Sequence, residues 1–462
     1  MGKARAGSGR WISHWDPEDR EFWKREGSRV ARRNLVLSVA TEHLGFSVWS
    51  LWSVLVLFMS PATGFTFAAG EKFLLVVVPT LAGAALRLPY RYAVTRVGGR
   101  DWTVRATASL LLPLALAVWV IQRPDAPLWV FLLAGATAGL GGGNFASSMT
   151  NVSGIFPRRH QGRALGLNAG GGNLGVAVVQ LLGLLVAATA GLGHPEYLAA
   201  GYLPLAAVLA VLAARRMDNF PTVRARPGAL REALGSRHTW WMSLLYVGTF
   251  GSFIGYGFAF GLVLQYEFGA SALEAVSYTF LGPMLGSLFR PLGGWLADRW
   301  GGARVTLVDL AAMAAGTGVL LLASARHSFT LFVAAFCVLF VLSGIGNGSA
   351  YTMIPAVFTQ DAEKAVTAGE DAARAFARAR ELSGAVIGVT GAVGTLGGVA
   401  VNLAFRACYD GPGGTGDAAF TAFLGYYALC AVVTWAVYLR GEPGGGPGGT
   451  GRSARRREVS HV

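Results

Sequence analysis

Long apolar runs restrict the fold of this sequence more than any other feature. Each run has about the length that an α-helix needs to cross a bilayer, and short polar connectors separate the runs. With 53% hydrophobic residues, 14% charged residues and a mean hydropathy of +0.47, the composition is that of a polytopic membrane protein. The pattern predicts twelve spans, at 34–59, 73–94, 103–121, 128–150, 163–188, 197–214, 240–265, 274–297, 304–324, 329–355, 381–406 and 418–439.

Basic residues are distributed unevenly between the two sides of the predicted spans. If both termini are cytoplasmic, 33 of the 39 Lys and Arg residues lie in cytoplasmic segments, and four lie outside: Lys72, Arg123, Arg326 and Arg406. This asymmetry follows the positive-inside rule and predicts cytoplasmic termini. It also explains the net charge of +14 without a nucleic-acid partner. Because residues 1–33 hold no apolar core, we expect no cleavable signal peptide.

The sequence carries no motif for catalysis or for a cofactor. It has no GxxxxGK[ST] phosphate loop, no nucleophile elbow and no HExxH pair. Its three cysteines, Cys337, Cys408 and Cys430, lack the spacing of a metal site or of a disulfide framework. We therefore expect a protein that is not an enzyme and that holds neither a metal nor a cofactor.

Spans 2 and 8 share a spacing that indicates an internal repeat. Arg87 is followed eleven residues later by Gly98, and Arg290 is followed eleven residues later by Gly301. Spans 4 and 10 repeat a series of glycines at a similar offset. Two six-helix halves in one chain are the architecture of major facilitator transporters, an all-α membrane fold. We predict a cytoplasmic tail at 1–33, the halves at 34–214 and 240–439, a linker at 215–239 and a disordered basic tail at 440–462.

The two arginines of this repeat lie deep in their spans. Each stands nine residues before an arginine at the cytoplasmic end of its span, Arg96 or Arg299, which is roughly 13 Å along a helix. Half of a membrane core of ~30 Å is about 15 Å, so Arg87 and Arg290 are predicted near the midplane. A charge at that depth is costly and is a functional hypothesis by default.

Two explanations of the buried arginines are open. They either pair with carboxylates inside the membrane, of which Glu42 in span 1 and Asp309 in span 9 are the main ones, or they bind an anion. The scarcity of acids favours an anion. A planar oxyanion suits the two parallel donors of a guanidinium. The residues alone therefore predict a carrier of small anions.

Glycine clusters in spans 5 and 11 predict close helix packing. The stretch LNAGGGNLG, 167–175, lies in an apolar helix although each glycine costs a helix roughly 1 kcal/mol relative to alanine. Small residues let helices approach closely in lipid. We expect the clusters to pack beside the arginine helices, with spans 2 and 11 and spans 5 and 8 meeting between the halves, and to leave a narrow site. Ordinary glycine packing is the alternative. The clusters are Gly166, Gly170, Gly171, Gly172 and Gly175, and Gly384, Gly388, Gly391, Gly394, Gly397 and Gly398.

Three polar segments carry predictions of their own. GGWLADRWGGAR, 293–304, resembles the loop signature between the second and third helices of a major facilitator half. In that loop, Asp298 and Arg299 would take part in a charge network that latches one conformation. The first half has Thr95 at the position of the acid. RWISHWDPEDREFW, 10–23, is either an amphipathic helix on the inner membrane surface or a charged tail with aromatic anchors. Residues 358–380 are predicted to form a cytoplasmic amphipathic helix of unassigned role.

Longer motifs resemble one transporter family. GGGNFASSMTNVSGIFPRRHQGRALGLNAGGGNLG, 141–175, closely resembles the nitrate signature of the nitrate/nitrite porter family, the NarK type. GVTGAVGTLGG, 388–398, is similar to the partner signature of the second half. LRLPYRY at 86–92, LFRPLGG at 288–294 and LLYVGTFGSFIGY at 244–256 resemble spans 2, 8 and 7 of that family. The resemblance covers nearly all twelve spans.

The resemblance implies transport of nitrate and nitrite and gives each matched residue a role. Two arginines would hold the anion from either side, two phenyl rings would sandwich it, and two polar side chains would contact it: Arg87 and Arg290, Phe145 and Phe250, and Asn173 and Tyr246. The signature glycines would shape the helices around the site. Taken alone, each aromatic residue is more often explained by core packing.

The coupling mode is open at this point. An empty site with two arginines is costly to move through a closed state, which favours exchange of nitrate against nitrite. Glu42 and His43, in span 1, form a protonatable pair that would allow nitrate/proton symport. A fixed counter-charge, with the acid paired to an arginine, is the alternative role of Glu42.

The expected partners are nitrate, nitrite, protons if symport operates, and membrane lipid. We expect a monomer in a bacterial cytoplasmic membrane. Two other functions stay open: a sensor that binds nitrate without moving it, and a major facilitator carrier of another solute. A drug or a sugar is disfavoured because the glycine helices leave little room for a bulky substrate.

Overall fold

Twelve long helices make up most of the described chain, which a computed structural model gives as residues 11–223, 228–410 and 414–440. Their order matches that of the predicted spans, and most of them extend past the predicted ends. We number them α1 Ser28–Phe58, α2 Ala69–Val97, α3 Gly99–Ile121, α4 Leu128–Ile155, α5 Arg158–Thr189, α6 Glu196–Arg216, α7 Arg237–Phe268, α8 Ala272–Thr279 with Leu281–Trp300, α9 Gly302–Ala325, α10 Phe329–Thr367, α11 Ala372–Tyr409 and α12 Asp417–Leu439.

The helices differ in how apolar they are. Within the described ranges, ten helices are long and apolar enough to cross a membrane. The two long helices that are not among these ten are α1 and α8. They hold Glu42 and His43 in one case and Arg290 in the other. Both of these helices therefore carry candidate functional residues, as do several of the ten more apolar helices.

Glycines bring corresponding helices together in each half. A Cβ added to Gly139 in α4 would lie 2.4 Å from the Cβ of Ala82 in α2. In the second half, a Cβ on Gly344 in α10 would lie 2.2 Å from the carbonyl oxygen of Gly286 in α8. Distances this short leave no room for a side chain, so glycine is what permits the approach. The predicted repeat therefore has the same packing role in both halves.

Several helix pairs join the halves. α2 contacts α11, and α5 contacts α8, as the fold predicts. α5 also meets α7, where the side-chain amide of Gln180 donates a hydrogen bond to the carbonyl oxygen of Gly257 at 2.7 Å. Each arginine helix, α2 or α8, therefore lies against a helix of the opposite half.

The described N-terminal residues pack against the protein. The indole of Trp15 donates a hydrogen bond to the carbonyl oxygen of Ile155 at 3.0 Å, and its ring centroid lies 4.6 Å from that of Phe220. Ile12 and Trp23 are also buried. The alternative of an amphipathic helix on the membrane surface is wrong for these residues, because the protein itself covers their apolar side chains.

Residues 358–380 do not form a separate helix. α10 continues to Thr367 and α11 begins at Ala372, so the segment extends two membrane helices. Of the other predicted segments, the basic tail lies outside the described residues from 441 onward, as do linker residues 224–227. The predicted domain boundaries stay predictions.

Candidate anion-binding site

Arg87 and Arg290 are buried, with 0% and 6% of their surface exposed. Neither has an ion pair with a carboxylate of the described residues. Glu42 instead accepts a hydrogen bond from the amide of Asn168 at 2.9 Å. Both carboxylate oxygens of Asp309 lack a hydrogen-bond partner in the described part of the chain. Of the two explanations of the arginines, the ion-pair explanation therefore has no direct contact to support it.

Each guanidinium is held by one neighbour and keeps unused donors. Arg87 donates from Nη1 to the carbonyl oxygen of Gly391 at 2.8 Å, and its Nε and Nη2 have no partner among the described residues. Arg290 donates from Nη2 to the hydroxyl of Tyr246 at 3.4 Å, and its Nη1 is without a partner in the same ranges. Buried donors without acceptors are costly. A planar oxyanion has the acceptor oxygens that these donors lack.

Two phenyl rings from opposite halves form a gap beside Arg87. Phe145 in α4 and Phe250 in α7 are stacked with centroids 6.2 Å apart. The Arg87 guanidinium carbon lies 4.7 Å and 5.0 Å from these two centroids, and so lies at the edge of the gap. A planar anion between the rings needs two contacts of roughly 3.5 Å. The gap must therefore open by about 1 Å to admit it.

A π-helical turn in α7 places two aromatic residues at this site. The turn spans Val247–Gly251, directly after Tyr246. The rings of Tyr246 and Phe250 stack with centroids 5.1 Å apart. Because Tyr246 also contacts Arg290 and Phe250 contacts Arg87, this pair of rings connects the two arginines.

Asn173 is buried in α5 with both side-chain amide atoms lacking a partner among the described residues. A buried amide without partners is costly, so the side chain has capacity for a ligand. No hydrogen bond joins it to the arginines within the described ranges. Its predicted role in binding is therefore untested.

Glu42 and His43 both face the glycine stretch of α5. One carboxylate oxygen of Glu42 accepts the bond from Asn168, and the other has no partner among the described residues. The Nδ1 of His43 lies 3.0 Å from the carbonyl oxygen of Gly171, to which a protonated Nδ1 donates. The contacts described thus leave Glu42 outside any ion pair.

Those α5 glycines that make close contacts make them with α1 of their own half, not with the arginine helix α8 as predicted. A Cβ on Gly172 would lie 2.7 Å from Cγ of Glu42, and one on Gly175 would lie 2.2 Å from the carbonyl oxygen of His43, both in α1. A Cβ on Gly170 would meet nothing within 4 Å, and the same holds for Gly166. α5 does contact α8, but the tight glycine contacts are with α1.

The α11 glycines pack only in part where the sequence predicted: some lie beside the arginine helix α2, and others lie against α7 of their own half. Gly391 lies beside Arg87 of α2, with 3.3 Å between an added Cβ and Nη1. A Cβ on Gly394 would lie 2.5 Å from Cδ1 of Tyr246, and one on Gly397 would lie 2.9 Å from the carbonyl oxygen of Val247. Gly398 would meet Ile254 of the same helix α7 at 2.8 Å. α11 therefore has room for both site helices, α2 and α7, only because it lacks these side chains.

Sequence reasoning missed three residues near the site. Arg91, one turn after Arg87, lines a cavity together with Arg87 and Phe145. Tyr351 in α10 lies under Arg290, with 5.5 Å between the guanidinium carbon and the ring centroid. Asn168 binds Glu42. Arg91 and Asn168 stand inside the quoted motifs, so the signal was present, but nothing in their spacing distinguished them.

The predicted latch residues are at the end of α8. The Arg299 guanidinium lies over the ring of Trp295, with the guanidinium carbon 5.6 Å from the centroid. Neither Asp298 nor Arg299 forms an ion pair with another described residue. Their role in latching a conformation stays a prediction.

Comparisons with known proteins settle the family. A family model described as the Major Facilitator Superfamily matches residues 43–402. The nitrate/nitrite transporter NarU of Salmonella typhimurium is 37% identical over 455 residues, covering 94% of this chain and 97% of that protein. The chain belongs to the nitrate/nitrite porter family of the major facilitator superfamily. The probable nitrate/nitrite antiporter NarK2 of Thermus thermophilus is 32% identical to this porter, covering 94% of this chain and 98% of its own.

A solved structure shows the same fold. The xylose transporter XylE from E. coli, in a partially occluded inward open conformation, matches with a TM-score of 0.64 and 14% identity, covering 88% of this chain and 99% of that chain. At that identity the likeness concerns the fold alone. The predictions of an all-α major facilitator fold, a multi-pass membrane protein and a transporter family that is not an enzyme family are confirmed.

Proposed function

We propose that this porter carries nitrate and nitrite by alternating access, with the anion held between Arg87 and Arg290. The observation that carries the proposal is the pair of buried guanidinium groups, one from each half, with donors that no described residue satisfies. Relatives of 37% and 32% identity are named as nitrate/nitrite carriers. Their substrate class is the planar monoanion that such donors fit.

The geometry supports a site whose contacts change when the two six-helix halves move relative to each other. Phe145 belongs to the first half and Phe250 to the second, and the anion must separate their rings to enter. Arg87 in the first half is hydrogen-bonded to Gly391 in the second. Binding and release therefore change contacts between the halves, as alternating access at a site between repeats requires.

We place the porter in a bacterial cytoplasmic membrane with both termini cytoplasmic and as a monomer. The distribution of Lys and Arg supports this orientation. The described segments 11–27 and 217–223, which pack together, then both lie at the cytoplasmic end. The latch proposed for Asp298 and Arg299 lies at the same end.

Nitrate/nitrite exchange and nitrate/proton symport both fit the site. The role of Glu42, as a proton carrier or as a fixed counter-charge, distinguishes them. An empty site carrying two unneutralised arginines favours exchange of nitrate against nitrite. Glu42 is fully buried and has no ion-pair partner among the described residues. A carboxylate buried without such a partner is costly, and a proton would relieve that cost. This favours the proton-carrying role of Glu42 over the role of a fixed counter-charge.

Nitrate uptake into proteoliposomes tests the proposal. Vesicles preloaded with nitrite are compared with empty vesicles, each with and without an inward proton gradient. Uptake that needs internal nitrite and ignores the gradient establishes exchange; uptake into empty vesicles driven by the gradient establishes symport. Nitrate binding without flux in either condition would replace the carrier with a sensor. Export of dyes or sugars with indifference to nitrate would assign another substrate.

A further inference from the structure

A second cationic position lies on α2, one turn beyond Arg87. Arg91 follows Arg87 by four residues, so both side chains share one face of the helix, about 6 Å apart along its axis. Both line one cavity between α2, α4, α5, α10 and α11. The other polar lining residues are the hydroxyl residues Tyr351, Thr150 and Ser153, and the lining includes no carboxylate.

Arg91, like Arg87, donates a hydrogen bond to a backbone carbonyl oxygen of α11. Its Nη1 donates to the carbonyl oxygen of Ala385 at 3.0 Å, as that of Arg87 donates to Gly391 at 2.8 Å. Glycine makes room for it as well, since a Cβ on Gly388 would lie 2.7 Å from Nη1 of Arg91. Each guanidinium is thus fixed to α11 by one donor, and both arginines line the cavity.

Two of the three hydroxyl residues that line the cavity already donate hydrogen bonds within α4. Thr150 donates to the carbonyl oxygen of Ala146 at 2.8 Å, and Ser153 donates to that of Thr150 at 2.8 Å. No carboxylate of the described residues forms an ion pair with Arg91. Its guanidinium is therefore the main donor and the main charge at this level of the cavity.

The cavity extends from the proposed substrate site toward one end of the molecule. Its lining runs from Phe145 to Ser153 along α4, and from Gly391 to Gly384 along α11. Both directions lead to the end that carries the turn at Gly98, which we place in the cytoplasm. An anion that leaves Arg87 on this side passes Arg91.

We infer that Arg91 forms a second anion-binding site, distinct from the Arg87–Arg290 site, that receives nitrate or nitrite on the cytoplasmic side. The inference rests on the proposed function, because it adds a second binding site to the same transport pathway. Two anions one turn apart repel each other. An anion arriving at Arg91 therefore weakens the hold on the one at Arg87, which assists exchange by displacement.

Equilibrium dialysis of the purified full-length porter, with nitrate measured by ion chromatography, tests the second site. We expect two nitrate ions per wild-type chain, and the dissociation constant of the second should be at least roughly tenfold higher than that of the first. Arg91→Gln keeps a donor for the Ala385 carbonyl but loses the charge, and it should bind one nitrate at the tighter affinity. Gly388→Ala, which displaces Arg91 without removing its charge, should weaken only the second site.

Arg96→Gln is the matched control. Arg96 is an exposed arginine of the same helix, with its guanidinium over Tyr92, and this variant should keep both nitrate ions. One nitrate of equal affinity in the wild type and in Arg91→Gln would overturn the second site and leave the proposed function intact. Loss of both ions in a folded Arg91→Gln protein would also overturn a separate site. A wild type that binds no nitrate would overturn the proposed function itself.

Discussion

Unsatisfied donors define the candidate site at the scale of single residues. Arg87 and Arg290 are too deeply buried for water to satisfy every N–H, and no carboxylate of the described residues forms an ion pair with either arginine. Tyr246 is the one hydroxyl that an arginine of the site contacts in the described structure, at 3.4 Å from Arg290. That distance is long for a hydrogen bond. The hydroxyl therefore has freedom to turn to an anion.

Tyr246→Phe tests this hydroxyl. Removing it keeps the ring that packs on Gly394 and should weaken nitrate binding about three- to tenfold, the loss expected for one hydrogen bond. The measurement is the nitrate dissociation constant from equilibrium dialysis, together with the melting temperature.

Tyr256→Phe is the matched control for that prediction. Tyr256 lies on the same helix, and its hydroxyl bonds to that of Tyr427 at 2.5 Å. This variant should lower stability and leave nitrate affinity unchanged. Equal loss of affinity in both variants would show that Tyr246 acts through packing alone.

Which residues could be predicted depended on the repeat. The two arginines emerged because the halves repeat their spacing, and Arg91 did not because its counterpart at the same offset is Gly294. Asn173 and the phenylalanines were found only through the family resemblance. A single aromatic or amide residue in an apolar helix carries no pattern of its own.

Helix elements differ in how their glycines are used. Those of α11 face the site helices, whereas the close contacts of α5 are with α1 of its own half. The sequence predicted the pairing of α5 with α8, which the structure shows, but the close glycine contacts of α5 are with α1. A glycine marks where a neighbour must come near, and only the three-dimensional arrangement shows which neighbour it is.

Two glycines of α5 give opposite predictions. Gly175→Ala puts a Cβ 2.2 Å from a backbone oxygen of α1 and should lower the melting temperature and the nitrate flux. Gly170→Ala meets nothing within 4 Å and should be neutral or stabilising by up to about 1 kcal/mol from helix propensity.

Thermal unfolding and vesicle uptake measure both glycine variants. A folded Gly170→Ala porter without flux would show that Gly170 packs against a neighbour in another conformation. Unchanged stability in Gly175→Ala would contradict the described packing of α5 on α1.

At the scale of the whole molecule, residues of the proposed anion path take part in joining the two halves. The hydrogen bonds of Arg87 and Arg91 to α11 cross between the halves, as does the bond of Gln180 to Gly257. The twelve-helix fold was predictable from apolar runs and charge alone. The packing of residues 11–27 on the first half was not, because a charged aromatic segment fits a membrane surface or a protein surface equally well.

Glu42→Gln tests coupling at this scale. Glutamine keeps the size and can still accept from Asn168, but it cannot release a proton. Uptake of nitrate into empty vesicles under a proton gradient should be lost, and nitrate/nitrite exchange should persist. Gradient-driven uptake at the wild-type rate in Glu42→Gln would reduce Glu42 to a structural acid.

The most direct test of the central claim is nitrate uptake into nitrite-loaded proteoliposomes by Arg87→Lys and Arg290→Lys. Lysine keeps the charge but loses the planar fork of donors. The account predicts that either substitution lowers uptake at least roughly tenfold, while the exposed Arg96→Lys is unaffected. Wild-type uptake in both site variants would contradict an anion held between two guanidinium groups.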